Sequence, residues 1–548
     1  MCGSVLISFS VRQSNQHSAI RQRALQGDDI QLFHLSIRDD VARRVSIAST
    51  EVWGRRAELI LAEIRENQEE KKSISVDISE LTLLEPIKLL PEGETKNRAL
   101  KCVGWRNTAD GTPNGPREPE KDMNCTEIVP NNASGYCEVA DTKTGEHFQV
   151  MRKASNILRN RVPFRCANAP AFARFRVEAH AATENTSSLL NVANQDLLPR
   201  DGIVMVVYPK LIPSAYATIR ALRDVLGCSL PIEIWFRPDE MKDPKALNPL
   251  RNLSQNSSIS FHPIADPVAK RFVAKIYAIR HSFFDRVLFL DADNVPVRDP
   301  SFLFNSSEFL KTGALFWPDF WHPDSTIFGL HSRSLLWELL DMPFVDMFEQ
   351  ESGQLLVDRR LHAAPLDVVF FYATHDPNFL VHYKLAWGDK DLFRLAWLKL
   401  NATFYMVETP PAMAGLVTEF SAFCGMTMVQ HDTEGKVLFL HRNKHKLSGK
   451  SDTNSSEART FSPSADAYPD PAIWTHLLSF DGNFSRDQYV VQAFTTPLNF
   501  TAKQKCFGRR SLRYSPQFHV QAVADLSFAH LETDLRQFAK EATELYLH

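Results

Sequence analysis

The sequence predicts an α/β fold whose main domain is built on a mostly parallel sheet with flanking helices. Three observations carry this. From Gly202 onward, short apolar runs alternate with stretches of helical periodicity. The run Val287–Leu290 is apolar without interruption, the pattern of a strand buried on both faces. That run ends in two acids one residue apart, Asp291 and Asp293. A strand core does not hold unpaired charge, so the acids belong where the strand leaves the sheet. The C-terminal edge of a parallel sheet is where open α/β folds bind ligands.

The elements follow in order. Gly202–Tyr208 (GIVMVVY) is a buried strand. Ser214 after Pro213 is an N-cap, and Tyr216, Ile219, Leu222 and Leu226 share a helical face that Gly227 closes. Pro231–Phe236 and Ile259–Ile264 are the next strands. Asp266-Pro267 opens a helix with Phe272, Ile276 and Ile279 on its apolar face, leading to Arg286–Leu290. Beyond the acids, Leu303–Leu310 reads as a short helix, Ala314–Trp317 as a strand and Ser334–Leu340 as a helix. Glu351-Ser352-Gly353-Gln354 precedes a short strand, Leu355–Val357, and Leu366–Ala373 is helical. Gly388-Asp389-Lys390-Asp391 opens the helix Leu392–Leu400. Val437–Leu440 is the last buried strand, and it ends in His441.

These elements place a catalytic-type domain at 201–447, after an N-terminal stem or accessory region (1–200) and before a linker and C-terminal extension (448–548). Within the first region, Thr50–Lys72 is a helix with one sticky face: a stalk, a partner-binding helix, or a helix packed on the main domain. Lys101–Glu138, rich in Pro, Gly and Asn, reads as loop. The chain has 548 residues, 44% hydrophobic and 23% charged, with a net charge of −3. That balance argues against a nucleic-acid or anionic-membrane partner. None of the eight cysteines forms C-x-x-C, which disfavours zinc and thioredoxin-type chemistry. Cys102, Cys125, Cys137 and Cys166 could be bridged, with the pairing open.

N-x-S/T sequons begin at Asn124, Asn132, Asn185, Asn252, Asn256, Asn305, Asn401, Asn454, Asn483 and Asn499. Loop composition could produce some of them, but their number favours glycosylation in the secretory lumen. Cys2–Phe9 is apolar but too short for a membrane span, and no later run approaches the roughly 20 residues a span requires.

Several residues suit chemistry. Asp291 and Asp293 offer hard oxygen ligands for Mn²⁺ or Mg²⁺, and such an ion could hold a diphosphate. An Asx turn with a solvated second acid is the alternative. His441, also at a strand end, could complete the ion's shell, or be an ordinary hydrogen-bonded histidine. Arg442, Lys444, His445 and Lys446 suit a diphosphate leaving group, or simply form a solvated loop. Asp389, Lys390 and Asp391 follow a glycine turn, and Asp391 could equally cap the helix. Glu351 and Gln354 could hydrogen-bond sugar hydroxyls or cap backbone. Trp317, Phe320 and Trp321 flank Asp319, as a sugar site or as core. Arg271, Lys275 and Arg280 precede the strand, and one of them could reach a phosphate.

In order along the chain, LFLDADNVPVRDP, TGALFWPDFW, ESGQLLVDR, GDKDLFRLAW and QHDTEGKVLFLHRNKHK together resemble the fungal-type α-mannosyltransferases that build mannan side chains. GIVMVVY and LRDVLGCSLPIEIWF fit the start of the same domain, so the resemblance spans about Gly202 to Lys446. It implies a GT-A type nucleotide-diphospho-sugar transferase fold, GDP-mannose as donor, a glycan acceptor, Mn²⁺ (or Mg²⁺), and retention of anomeric configuration. It also implies a Golgi membrane enzyme with a lumenal catalytic domain, although no transmembrane segment is visible here. Under it, Asp291, Asp293 and His441 are the metal set. Asp389 and Asp391 match the acidic block near the sugar and acceptor; joined with the residues singled out above, the candidate catalytic set is Asp389, Asp391 and Gln354, and the candidate substrate contacts are Asp319, Trp321, Glu351, Lys390, Lys275 and Lys446. A related transferase using a UDP-sugar, or a catalytically inactive sugar-binding lumenal protein, are the competing readings. The sharpest expectation is spatial: Asp291, Asp293 and His441 converge on one point at the C-terminal edge of the sheet.

Overall fold

A computed structural model describes residues 88–90, 98–158, 162–184, 198–255, 258–450, 468–482, 485–496 and 504–547. The helix expected at Thr50–Lys72 lies outside them. The described chain opens with a four-stranded sheet in the order β1-β4-β3-β2. Its strands are β1 (Lys88–Leu89), β2 (Leu100–Thr108), β3 (Ser134–Asp141) and β4 (His147–Lys153). Lys101–Glu138 is therefore not simply loop, because β2 and the start of β3 fall inside it. The Pro/Gly-rich stretch between them dominates the local composition and hides both strands. Two features hold them: Trp105 is fully buried, and disulfides Cys102–Cys125 and Cys137–Cys166 tie strands to loops.

The central sheet has seven strands. In chain order they are β5 (Asp201–Val207), β6 (Ile232–Phe236), β7 (Ile259–Pro263), β8 (Arg286–Leu290), then β10 (Ala314–Pro318), β11 (Gln350–Asp358) and β12 (Tyr405–Met406), with the short β9 (Asn294–Pro296) lying outside this sheet. Across the sheet the order is β12-β10-β11-β8-β5-β6-β7. Only β11 runs antiparallel to its neighbours, so the sheet is mostly parallel, as expected for a GT-A type fold. β8 is buried on both faces, as its apolar run predicts. Val287 and Phe289 enter one apolar cluster, together with helices Val273–His281 and Ala363–Thr374. Leu288 and Leu290 enter the opposite cluster, with helix Ile212–Arg220. All four are fully buried, and each such burial stabilises by about 2 kcal/mol.

A second, eight-stranded sheet adjoins the first. It is formed by β9, β13 (Ala412–Val417), β14 (Phe423–His431), β15 (Val437–His441), β16 (His476–Phe480), β17 (Gln492–Thr496), β18 (Gln504–Arg509) and β19 (Phe518–Ala522). β15 is thus neither the last strand nor part of the main sheet. The C-terminal helix Leu531–Leu547 packs on Ile212–Arg220, with an Arg220–Glu541 ion pair at 2.6 Å.

Other expectations shift at element ends. Ser214 sits inside its helix, where its hydroxyl donates to Leu447 O at 3.1 Å instead of capping. The helix expected from Asp266 begins only at Val273. Leu303–Leu310 divides into a 3₁₀ turn (Pro300–Asn305) and a helix (Ser307–Thr312). Glu351–Gln354 lies within β11 and not ahead of it. Among the described residues no helix is long and apolar enough to cross a membrane.

The Cys424–Cys506 disulfide links β14 to β18 across 82 residues of chain. The double substitution C424A/C506A should cost about 4 kcal/mol of unfolding free energy. Denaturant titration of the oxidised proteins measures it.

Candidate active site

The site forms where β8 ends. Asp291 N–H donates to Gly353 O at 2.8 Å, which holds the first residue past β8 against β11. Asn294 N–H closes a turn on Asp291 O at 2.9 Å. Ala292 is buried, and its carbonyl accepts from the Thr218 hydroxyl at 2.9 Å. The two flanking carboxylates therefore leave the turn on fixed paths. The chain then pairs as β9 with β15, Asn294 lying opposite His441. Arg442 N–H donates to Asp293 O at 2.9 Å. This ladder carries His441 to the acids. One ligand atom from each of Asp291, Asp293 and His441 lies within 4.8 Å of the others. His441 Nε2 is 3.6 Å from Asp293 Oδ1 and 3.9 Å from Asp291 Oδ2. Gly353 makes room for the ring, because a Cβ there would collide with His441 Nδ1.

Three lysines thread through the acids. Lys275 Nζ lies 3.1 Å from both Asp291 Oδ2 and Asp389 Oδ2, and donates to Ser352 O at 2.9 Å. Lys390 Nζ bridges Asp319 Oδ2 at 2.8 Å and Glu351 Oε2 at 2.7 Å. Lys446 Nζ pairs with Asp293 Oδ2. Ser352 donates to Asp389 Oδ2 at 2.8 Å, and Gly353 N–H donates to Glu351 Oε1 at 2.8 Å.

Burial and charge oppose one another here. Burial pushes the Asp291 carboxyl up, against the pull of Lys275 and His441. Burial acts the same way on Asp293, but contact with His441 and then Lys446 holds it well below the usual carboxylate range. Burial would lower His441, yet Asp293 and Glu351 raise it to about 9. Burial would likewise lower Lys275, which Asp291, Asp389 and Glu351 hold above the ordinary lysine value. Asp319 is pushed up to about 6 by burial despite Lys390.

The donor set fits a divalent cation of the Mn²⁺ type: two carboxylates and one imidazole, all hard or borderline ligands. Asp291 retains 27% side-chain exposure and Lys446 retains 43%. Of the three lysines, Lys446 is the most open to an anionic ligand approaching from solvent. An imidazole ligates when neutral, so ion binding here would release the His441 proton. The arrangement can bind a diphosphate and stabilise negative charge developing on it.

The residues expected at the site do not all play alike. Asp291, Asp293, His441, Lys275, Lys446, Asp389, Lys390, Asp319 and Glu351 form the continuous network just described. Asp391 is almost fully buried behind it: Oδ1 accepts from Gln350 N–H at 3.0 Å and from Arg394 Nε at 2.5 Å. It positions the start of β11. Gln354 is fully buried, and its Oε1 accepts from Asn294 Nδ2 at 2.6 Å, while its Nε2 has no partner among the described residues. Trp321 is packed with Phe320 in an apolar cluster and offers no open ring face. Arg280 turns away to Asp367 at 2.5 Å, and Arg442 pairs with Glu532 at 2.8 Å.

Sequence reasoning missed Ser352, Glu349 and Tyr208. Ser352 is hidden inside a polar tetrapeptide that reads as pre-strand. Tyr208 directly follows β5; burial pushes its hydroxyl up, with Lys446 and Asp293 acting on it in opposite directions. Its place immediately after β5 at the ligand-binding edge was the available signal. Glu349 has no sequence signal: its carboxyl accepts from Thr326 and faces Asp391 and Asp319, and burial pushes it up to about 9.

Residues 200–335 and 338–432 match the family model described as "Mannosyltransferase putative". Alpha-1,2-mannosyltransferase MNN5 of Saccharomyces cerevisiae is 27% identical over 289 residues, covering 43% of this chain and 49% of that protein. Alpha-1,2-mannosyltransferase MNN2 of the same organism is 27% identical over 334 residues, covering 54% and 52%. The chain thus spans about half the length of these curated relatives. A solved structure of the mannosyltransferase Ktr4p from S. cerevisiae in complex with GDP overlaps 42% of this chain and 76% of its own, at 13% identity and a TM-score of 0.26.

Two outcomes test this geometry. Gly353→Ala should push the His441 ring off the acids and weaken Mn²⁺ binding about tenfold, measured by calorimetric titration. Glu349 is the pH test. Its folded value of about 9 exceeds its unfolded value, so the folded state holds the extra proton between them. Its contribution to stability therefore falls as pH rises from about 4.5 to 9. Glu349→Gln should lose less melting temperature than wild type across that range, by about 2 °C, in thermal melts at stepped pH.

Proposed function

We propose that this chain, whose residues 200–335 and 338–432 match a mannosyltransferase family model, transfers mannose from GDP-mannose to a mannoside or glycoprotein glycan, with retention and with a divalent metal. One observation carries the reading: Asp291, Asp293 and His441 converge at the C-terminal edge of a mostly parallel sheet, with Lys446 at their side. Asp291, Asp293 and His441 would hold Mn²⁺, and the ion supplies Lewis-acid neutralisation of the departing diphosphate.

The chain's own groups do the rest. Lys446, partly exposed, meets phosphate charge from the solvent side. Lys275 fixes Asp291 and Asp389 relative to one another, so the donor finds its contacts already oriented. Asp389 and Ser352 on one side, and the Asp319–Lys390–Glu351 bridge on the other, supply acceptors and donors for sugar hydroxyls. The acceptor hydroxyl attacks the anomeric carbon on the face from which GDP leaves. Its proton passes to the leaving phosphate oxygen, so no protein nucleophile is required.

A secretory lumen suits the reading. Three disulfides are in keeping with an oxidising compartment. The described sequon asparagines Asn124, Asn132, Asn252, Asn305 and Asn401 are all exposed. Location in the Golgi with membrane association is part of the proposal.

Asp291→Ala with Asp293→Ala should cut Mn²⁺-dependent transfer from GDP-mannose to mannobiose by about a thousandfold or more. Retained transfer in that variant would sink the assignment. Running the wild type with UDP-glucose and UDP-galactose alongside decides the donor: turnover with either, and none with GDP-mannose, replaces mannose in the reading.

A further inference from the structure

Trp387 stands at the rim of the site with 61% of its surface exposed. A tryptophan left open to water forfeits a large apolar burial, and its ring offers a broad apolar face with a polar edge, which suits a sugar when polar groups lie close by. Its neighbours tie it to the site. Gly388 follows with φ of +64°, a left-handed turn that favours glycine, and no atom lies within 4 Å of where its Cβ would be. Asp389 comes next, buried, with its carboxylate on Ser352 and Lys275. Consecutive Cα atoms are about 3.8 Å apart, so the chain passes from open rim to site floor in two residues.

The ring is held as a platform. Phe328 stacks on it with centroids 5.7 Å apart and planes 20° from parallel. Phe328 N–H donates to the Thr326 hydroxyl at 3.0 Å, and that hydroxyl donates to Glu349 next to β11. A Cβ on Gly329 would sit 3.0 Å from Leu385 Cα, so the two rim loops touch closely. The platform is therefore anchored to the strand that carries Glu351.

We propose that Trp387, backed by Phe328, is the stacking platform for the acceptor sugar, a mannopyranoside. This rests on the transferase reading above. The diphosphate end of the donor belongs at Asp291, Asp293 and His441, inside the cleft. Trp387 is exposed and Asp389, two residues on, is buried, so the indole faces the solvent from which an acceptor arrives. A pyranose has one face of C–H bonds, which packs on an indole, and a rim of hydroxyls. With the C–H face on Trp387, those hydroxyls would turn toward Asp389, two residues along the chain.

The test separates acceptor from donor. Trp387→Ala should raise KM for mannobiose about tenfold while KM for GDP-mannose changes less than twofold, and Trp387→Phe should recover part of the loss. Saturation-transfer NMR from the protein to mannobiose, without donor, should also fall in Trp387→Ala. An unchanged acceptor KM together with unchanged saturation transfer overturns the platform. The NMR arm stands apart from turnover: if the wild type transfers nothing from GDP-mannose, the donor reading fails, while mannobiose binding lost on Trp387→Ala still supports the platform.

Discussion

The backbone ladder between β9 and β15 is the interaction on which the site depends. β8 alone delivers two carboxylates to a sheet edge, and nothing in the central sheet brings a histidine to them. The pairing of Asn294 with His441 and the Arg442–Asp293 bond join the second sheet to the first at that point. A ladder fixes register, and slipping it by one residue would turn His441 to the other face. The absence of a side chain at Gly353 completes the constraint, because the imidazole occupies the space a Cβ would need.

Charge is the second constraint. Asp291, Asp293, Asp319, Glu351 and Asp389 crowd one region with Lys275, Lys390 and Lys446 between them. Burying such groups costs several kcal/mol each unless every one is paired. Each lysine here meets at least one acid, and Lys275 and Lys390 each bridge two. A network of this kind is a poor way to gain stability and a good way to hold dipoles fixed before a reaction. Asp391 and Arg394 extend the same logic one layer back, where they hold the backbone of β11.

What was legible in the sequence follows from range. β8 was legible because four apolar residues in a row, closed off by Arg286 and Asp291, leave no polar face and match the short run of a strand covered on both sides. Asp291 and Asp293 were located by its end. The central sheet was readable because each strand and helix carries its own period. Element ends were not: Ser214 looks like a cap but bonds to Leu447, more than two hundred residues away. β2 and β3 were hidden because disulfides and one buried tryptophan, not local pattern, hold them. Trp321 and Trp387 show the limit most plainly. Both are tryptophans within two residues of a site acid, Asp319 and Asp389, yet one is packed in the core and the other stands in water. Only tertiary contacts distinguish them.

The C-terminal extension carries no motif, yet it fixes the loop that bears Lys446. Glu532 on the last helix pairs with Arg442 and accepts from the backbone N–H of Ile473 and Trp474. Asp470 accepts from Ser448 N–H and Gly449 N–H at 2.9 and 2.8 Å. Ser214 holds Leu447 from the opposite side. Lys446 is thus a long, flexible side chain on a segment pinned at Arg442, Leu447 and Ser448. A lysine on a free loop would lose much of its pairing with Asp293 to side-chain and backbone entropy. On this pinned segment that entropy is lost when the chain folds, so the charge beside the acids is in place before any substrate arrives.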